Sequence, residues 1–150
     1  MWNELERAAL QRAMEFKPQE LTNILWAFAT AAVPAPQLFD AFAALAAEGA
    51  STFNAQDLAN AAWSFATAGV EAPRLFDSIC AEAAPRLSEF TAQNLANTAW
   101  AFATAGHAAS TLFHAISAEV IPRLNEFNTQ EIANLAWAYA EIGFAAPMLF

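Results

Sequence analysis

Apolar positions in this chain follow a helical period that restarts at a fixed interval. Between about Ala55 and Ala68, Leu58, Ala62 and Phe65 share one face, with Ala59 and Ala66 flanking it. Gln56, Asn60 and Thr67 lie opposite, and Trp63 stands on the border. That pattern predicts a short amphipathic helix. Its start is marked by Phe53 and Leu58 at the spacing of a hydrophobic staple, with Asn54 as N-cap and Asp57 three residues on. Its end is marked by Gly69. A second helix is predicted from Pro73 to about Ala84, with Leu75, Phe76, Ile79 and Cys80 facing the core and Pro85 stopping or kinking it.

The same pair of elements recurs along the chain. Phe16, Phe53, Phe90 and Phe127 stand 37 residues apart, as do the tryptophans at 26, 63, 100 and 137. Copies two and three agree without a gap at about 23 of 37 positions. Thr91, Asn94 and Leu95 repeat the helix start in copy three, and Asn128, Glu131 and Ile132 repeat it in copy four. Copy one has Lys17 at the cap, followed by Pro18, which suits the first helical turn. Gly106 and Gly143 repeat the stop, Pro122 repeats Pro85, and further second helices are predicted to begin near Pro36, Ser110 and Pro147.

Tandem hairpins at a constant interval predict an all-α fold, a right-handed α-solenoid of stacked helical hairpins. The expected units are 1–15, the second helix of a preceding copy, then 16–52, 53–89, 90–126 and the partial copy 127–150. Stacked repeats need capping units with polar outer faces, and neither end supplies one, so a segment of a longer array is expected.

Composition supports this picture. Apolar residues make up 57% of the chain, but Thr, Gln, Asn and Glu interrupt every run before the length that a membrane-spanning helix needs. Membrane insertion is not expected. The formal charge is −9, from six Lys or Arg against fifteen Asp or Glu, which weighs against strong attraction for a polyanion. The single cysteine, Cys80, excludes an internal disulfide framework and reads as a small core residue.

Three sets of positions are candidates for binding. The first is a polar and aromatic ladder of Gln19, Asn23 and Trp26, Gln56, Asn60 and Trp63, Gln93, Asn97 and Trp100, and Gln130, Asn134 and Trp137. Amides can bond base edges and indoles can stack on bases. Alternatively the amides satisfy groups of the neighbouring copy while Trp fills space between hairpins. Invariance between copies argues for the structural role, because a surface that reads bases one by one should vary. The second set does vary: Lys17, Asn54, Thr91 and Asn128 at one position, Glu20, Asp57, Asn94 and Glu131 at another, and Ile24, Ala61, Thr98 and Leu135 at a third. These form either a code or tolerant, solvated cap and edge positions. The third set is a column of Arg12, Arg86 and Arg123, broken by Gly49, which suits phosphates or local pairing with Glu15, Glu89 and Glu126.

No cluster supports catalysis or a metal. His107 falls in a predicted loop, and His114 replaces Asp40 and Asp77 on an exposed helix face. Neither has a His or Cys at ligand spacing, and no phosphate loop or nucleophile elbow is present. No enzymatic activity, cofactor or metal is expected.

The segments Phe53–Gly69 and Phe90–Gly106, with their Asn-x-x-Trp-x-Phe-Ala core, resemble the helical repeats of organellar RNA-processing proteins. These include octotricopeptide-repeat proteins, RAP-domain proteins related to the FAST kinase family, and helical-repeat subunits of the RNA-editing substrate-binding complex. The resemblance covers residues 16–150. It implies a non-catalytic module that binds single-stranded RNA in mitochondria or plastids (chloroplasts) and acts in transcript processing, stability or translation. The alternative is a protein-interaction scaffold within a ribonucleoprotein assembly.

Overall fold

The computed structural model describes residues 1–143, and over these it is all-helical, with no strand. Its helices are α1 (Trp2–Gln11), α2 (Pro18–Thr30), α3 (Pro36–Gly49), α4 (Ala55–Ala68), α5 (Pro73–Ala83), α6 (Ala92–Thr104), α7 (Ser110–Val120) and α8 (Thr129–Glu141). The second helix expected near Pro147, with Leu149 and Phe150, lies outside the described residues.

Helix starts follow the sequence signals. Asn54, Thr91 and Asn128 adopt extended backbone, and each side-chain oxygen accepts a hydrogen bond from the backbone N–H three residues later, at Asp57, Asn94 and Glu131. Those three side chains return the bond to the cap N–H, which closes a reciprocal box. Lys17 has no side-chain acceptor, so α2 keeps only the return bond, from the Lys17 N–H to Glu20 at 2.9 Å. Helix ends are equally regular. Gly69, Gly106 and Gly143 have φ near +70°. Behind Gly106, the His107 N–H reaches the Phe102 carbonyl and the Gly106 N–H reaches the Ala103 carbonyl, a Schellman closure. Ala32 makes the same closure at φ +56° although it carries a Cβ.

Pro85 and Pro122 end α5 and α7 as expected. Tight 3-10 segments follow at Ala84–Glu89 and Ile121–Glu126, each with one non-helical residue, Arg86 or Arg123. Copy one has no proline there, and α3 runs on to Gly49 before a shorter 3-10 turn at Ala50–Thr52.

The even-numbered helices from α2 to α8 pack in one row in chain order, each on the next. Alongside them α1 packs on α3 and α3 on α5, while α7 packs on the 3-10 segment that follows α5. The two rows are joined by aromatic pairs meeting edge to face at the same register. Trp2 meets Phe28, Phe39 meets Phe65, Phe76 meets Phe102, and Phe113 meets Tyr139, with centroids 4.9–5.1 Å apart. Leu25, Leu58, Leu95, Leu38, Leu75 and Leu112 are fully buried around these pairs. One core therefore runs through the described residues, and the exposed edges of the two rows are left to carry function.

Candidate interaction surface

The variable cap positions point inward on their own backbone. Asn54, Thr91 and Asn128 spend their oxygens on the helix start, as do Asp57, Asn94 and Glu131. Diverting one of these groups to a ligand would cost about 1 kcal/mol of helix stability. Asp57 is also buried and lies 3.5 Å from the Thr22 hydroxyl of the preceding copy. The third variable position corrects an expectation. Ala61, Thr98 and Leu135 are buried and Ile24 is half-buried, so they are not solvated edge residues. The Thr98 hydroxyl donates to the Asn94 carbonyl of its own helix.

The arginine column is committed as well. The Arg123 guanidinium donates to the Phe90 carbonyl at 2.8 Å and pairs with Glu119 at 2.9 Å and Glu126 at 3.2 Å. Its hydrogen bonds to Glu126 and Glu119 raise its pKa. Arg86 repeats the bond to the Phe53 carbonyl, with Glu82 and Glu89 at longer range. Arg12 is largely exposed and holds Glu15. The cleft beside Arg123, about 630 Å³, is also lined by Glu89, Glu126 and Glu131. That is a poor seat for a phosphate.

The ladder is where side chains remain open. Trp26 stacks with Trp63 at 6.3 Å between centroids, while Trp63 meets Trp100 and Trp100 meets Trp137 as tilted pairs at 6.5 Å, with planes 28–34° apart across the three. The outer two indoles are nearly half exposed and the inner two are partly covered. Beside them, Gln19, Gln56, Gln93 and Gln130 are exposed, and Asn23, Asn60, Asn97 and Asn134 are exposed or half-exposed. Among the described residues none of these eight amide side chains makes a hydrogen bond to protein. The expectation that they satisfy groups of the neighbouring copy is therefore corrected. Each first helix shows water the same neutral stripe, Gln-Asn-Trp-Thr, with Glu141 in place of Thr only in α8.

A family model with the description RNA-editing substrate-binding complex 6 protein matches residues 1–150. The chain belongs to that family. Of the groups named by the resemblance, the RNA-editing substrate-binding complex 6 family falls among the RNA-editing helical-repeat subunits. No curated protein matches the chain.

For this member of the RNA-editing substrate-binding complex 6 family, other chemistry is sparse. Among the described residues no group of three or more His, Cys, Asp or Glu could hold a metal, and no helix is long and apolar enough to cross a membrane. Cys80 lies at the margin of the core, half-buried where full burial was expected. Burial, then the nearby Asp77 charge, pushes its thiol pKa up, away from reactivity. Sequence reasoning missed one contact. The His107 ring lies against Phe76 and Phe102, and its Nε2 is 2.9 Å from the Asp77 carboxylate, 30 residues away. The available signal was the register, in which His107 replaces Val33 and Val70 at an apolar site. Tyr139, in the register of Phe65 and Phe102, donates its hydroxyl to the Phe113 carbonyl at 2.6 Å.

Proposed function

We propose that this chain is a non-catalytic helical-repeat segment, a right-handed α-solenoid with a 37-residue unit, that serves as a protein-interaction scaffold in an RNA-editing substrate-binding assembly. The family match supports membership in RNA-editing machinery. The proposed compartment is the mitochondrion. One observation carries the choice of a protein partner over RNA. The aligned arginines Arg86 and Arg123 are neutralised by carboxylates and tied to backbone carbonyls, while an uncharged amide and indole surface stands open. RNA affinity rests chiefly on cations that neutralise phosphates. This chain, at a formal −9, offers few. Uncharged surfaces with exposed Trp suit protein contacts, where indoles concentrate binding energy.

Direct contact with single-stranded RNA is the second reading, favoured by the indole ladder, on which unpaired bases could stack. One comparison separates the two. The chain is titrated with single-stranded RNA at several salt concentrations, and its co-purification with the protein subunits of the assembly is measured in parallel. The scaffold reading expects subunit capture that survives nuclease treatment and no salt-sensitive RNA binding. Salt-sensitive RNA binding that disappears in Trp63→Ala, with no subunit capture, would overturn it.

A further inference from the structure

One side-chain site occurs twice in this chain, once filled and once open. In the filled copy, the Phe76 and Phe102 rings meet edge to face at 4.9 Å, and the His107 ring lies 5.7 Å from each. The His107 Nε2 is 2.9 Å from the Asp77 carboxylate. The preceding copy builds the same floor. Phe39 meets Phe65 edge to face at 5.0 Å, and Asp40 follows Phe39 as Asp77 follows Phe76. The backbone just before the two second helices also matches, with φ −148° and ψ 63° at Ala35 against φ −149° and ψ 66° at Ala72. Val70, however, stands in the register of His107. It has no ring to lay on Phe39 and no N–H for Asp40. Among the described residues the Asp40 carboxylate is exposed and makes no hydrogen bond or ion pair.

Beside Val70 lies a hollow of about 600 Å³, lined by Phe28, Val33 and Phe39 among others. That volume suits a bound side chain with its neighbours. Ala32 is also part of the lining, and it is the one non-glycine residue with positive φ among the described residues. Glycine holds the equivalent place in the later copies, so here a strained backbone is kept together with a methyl group on the hollow. Such strain concentrates at ligand-binding sites. Thr30 and Thr67, which end two of the polar stripes, line the same hollow, so it adjoins the surface that carries the indoles.

We infer that this hollow binds a histidine side chain of a partner protein, with its imidazole against Phe39 and a ring N–H donating to Asp40. The chain supplies that occupant itself one repeat later, as His107. An apolar wall with one carboxylate beside it matches an imidazole better than an ammonium group, which keeps its water more tightly, or a phosphate, which the carboxylate repels. The inference rests on the scaffold reading and names one anchoring side chain of the partner.

The test is an NMR titration of the 150-residue chain, whose valines are Val33 and Val70 at the hollow and Val120 in the core. The probes are the capped peptide Ser-Leu-His-Leu-Ser, its versions with Phe or Lys in place of His, and cytidine monophosphate. The histidine peptide is expected to shift the methyl signals of Val33 and Val70 and to leave Val120 in place. The lysine peptide and the nucleotide are expected to shift none. Asp40→Asn should weaken binding of the histidine peptide by about two- to fivefold and leave the phenylalanine peptide unchanged. Ala32→Gly should melt at higher temperature yet bind about two- to fourfold more weakly, since a methyl group of the wall is gone. Val70→His should fill the hollow from within and abolish binding. The inference is overturned by valine signals that ignore the histidine peptide, by unchanged affinity in Asp40→Asn or Ala32→Gly, or by full binding in Val70→His. Equal binding of the lysine peptide, shifts caused by the nucleotide, or shifts with protein concentration alone would overturn it too, the last two pointing to RNA or a second copy as the occupant. If subunits of the assembly still co-purify after such a result, the scaffold reading stands by itself. Salt-sensitive RNA binding without subunit capture would remove both.

Discussion

The Arg123 guanidinium donates a 2.8 Å hydrogen bond to the Phe90 carbonyl, 33 residues earlier, and so ties the end of one repeat to its own beginning. Arg86 does the same with Phe53. Both carbonyls lie in the extended turn just before a capped helix, where no helical N–H can reach them. Two of the three arginines that suggested phosphate contacts are thus loop clamps.

Arg123→Ala should therefore destabilise the fold by about 1.5–3 kcal/mol, since a charge-assisted bond is lost and a partly covered carbonyl is stranded. Arg12→Ala, with only an exposed ion pair, should cost less than about 0.5 kcal/mol. Urea unfolding followed by circular dichroism measures both. Equal effects of the two substitutions would contradict the clamp.

Ala32 holds φ +56° where the later copies have glycine. Ala32→Gly should raise stability by about 0.5–1 kcal/mol, and Gly106→Ala should lower it by about 1 kcal/mol. A Cβ at Gly106 meets nothing within 4 Å, so the second effect comes from the backbone alone. Thermal melts of the two variants should shift in opposite directions.

Tyr139 is the chain's only tyrosine, and burial pushes its pKa well above the ordinary value of 10.0. The folded state then holds the phenolic proton more tightly than the unfolded state does. Its contribution is complete below about pH 10 and declines as pH rises toward the folded value. Phenolate absorbance should appear only with unfolding. Tyr139→Phe should lose about 1 kcal/mol at neutral pH, from the bond to the Phe113 carbonyl. It should also flatten the alkaline fall in stability. Phenolate forming near pH 10 in the folded protein would rule this out.

The tryptophans differ by position. Trp63 and Trp100 each meet two neighbouring indoles, whereas Trp26 and Trp137 meet one each among the described residues. Alanine at either inner site should cost about 1 kcal/mol more than at either outer site. A double-mutant cycle on Trp63 and Trp100 should give a coupling of about 0.5–1.5 kcal/mol, and additivity would show that the rings do not interact.

Much of the fold was legible in the sequence, because each helix carries its own boundaries. Asn54 with Asp57, the prolines at 85 and 122, and the glycines at 69 and 106 act within a turn of where they stand. Contacts that cross the register were harder to read. Nothing local to Arg86 says that its reach ends at Phe53, and nothing near His107 names Asp77. Burial of Ala61, Thr98 and Leu135 was misjudged because their variability suggested solvent. The indole ladder was visible as a period of 37, but its spacing needed coordinates.

Stripes that share Gln, Asn and Trp carry little address. A partner resting on the indole ladder could step sideways by one helix and meet the same groups again, so the ladder sets orientation and leaves position undetermined. Glu141 is the one carboxylate within the stripes, placed where Thr30, Thr67 and Thr104 stand. Whatever slides along this face meets its first landmark there.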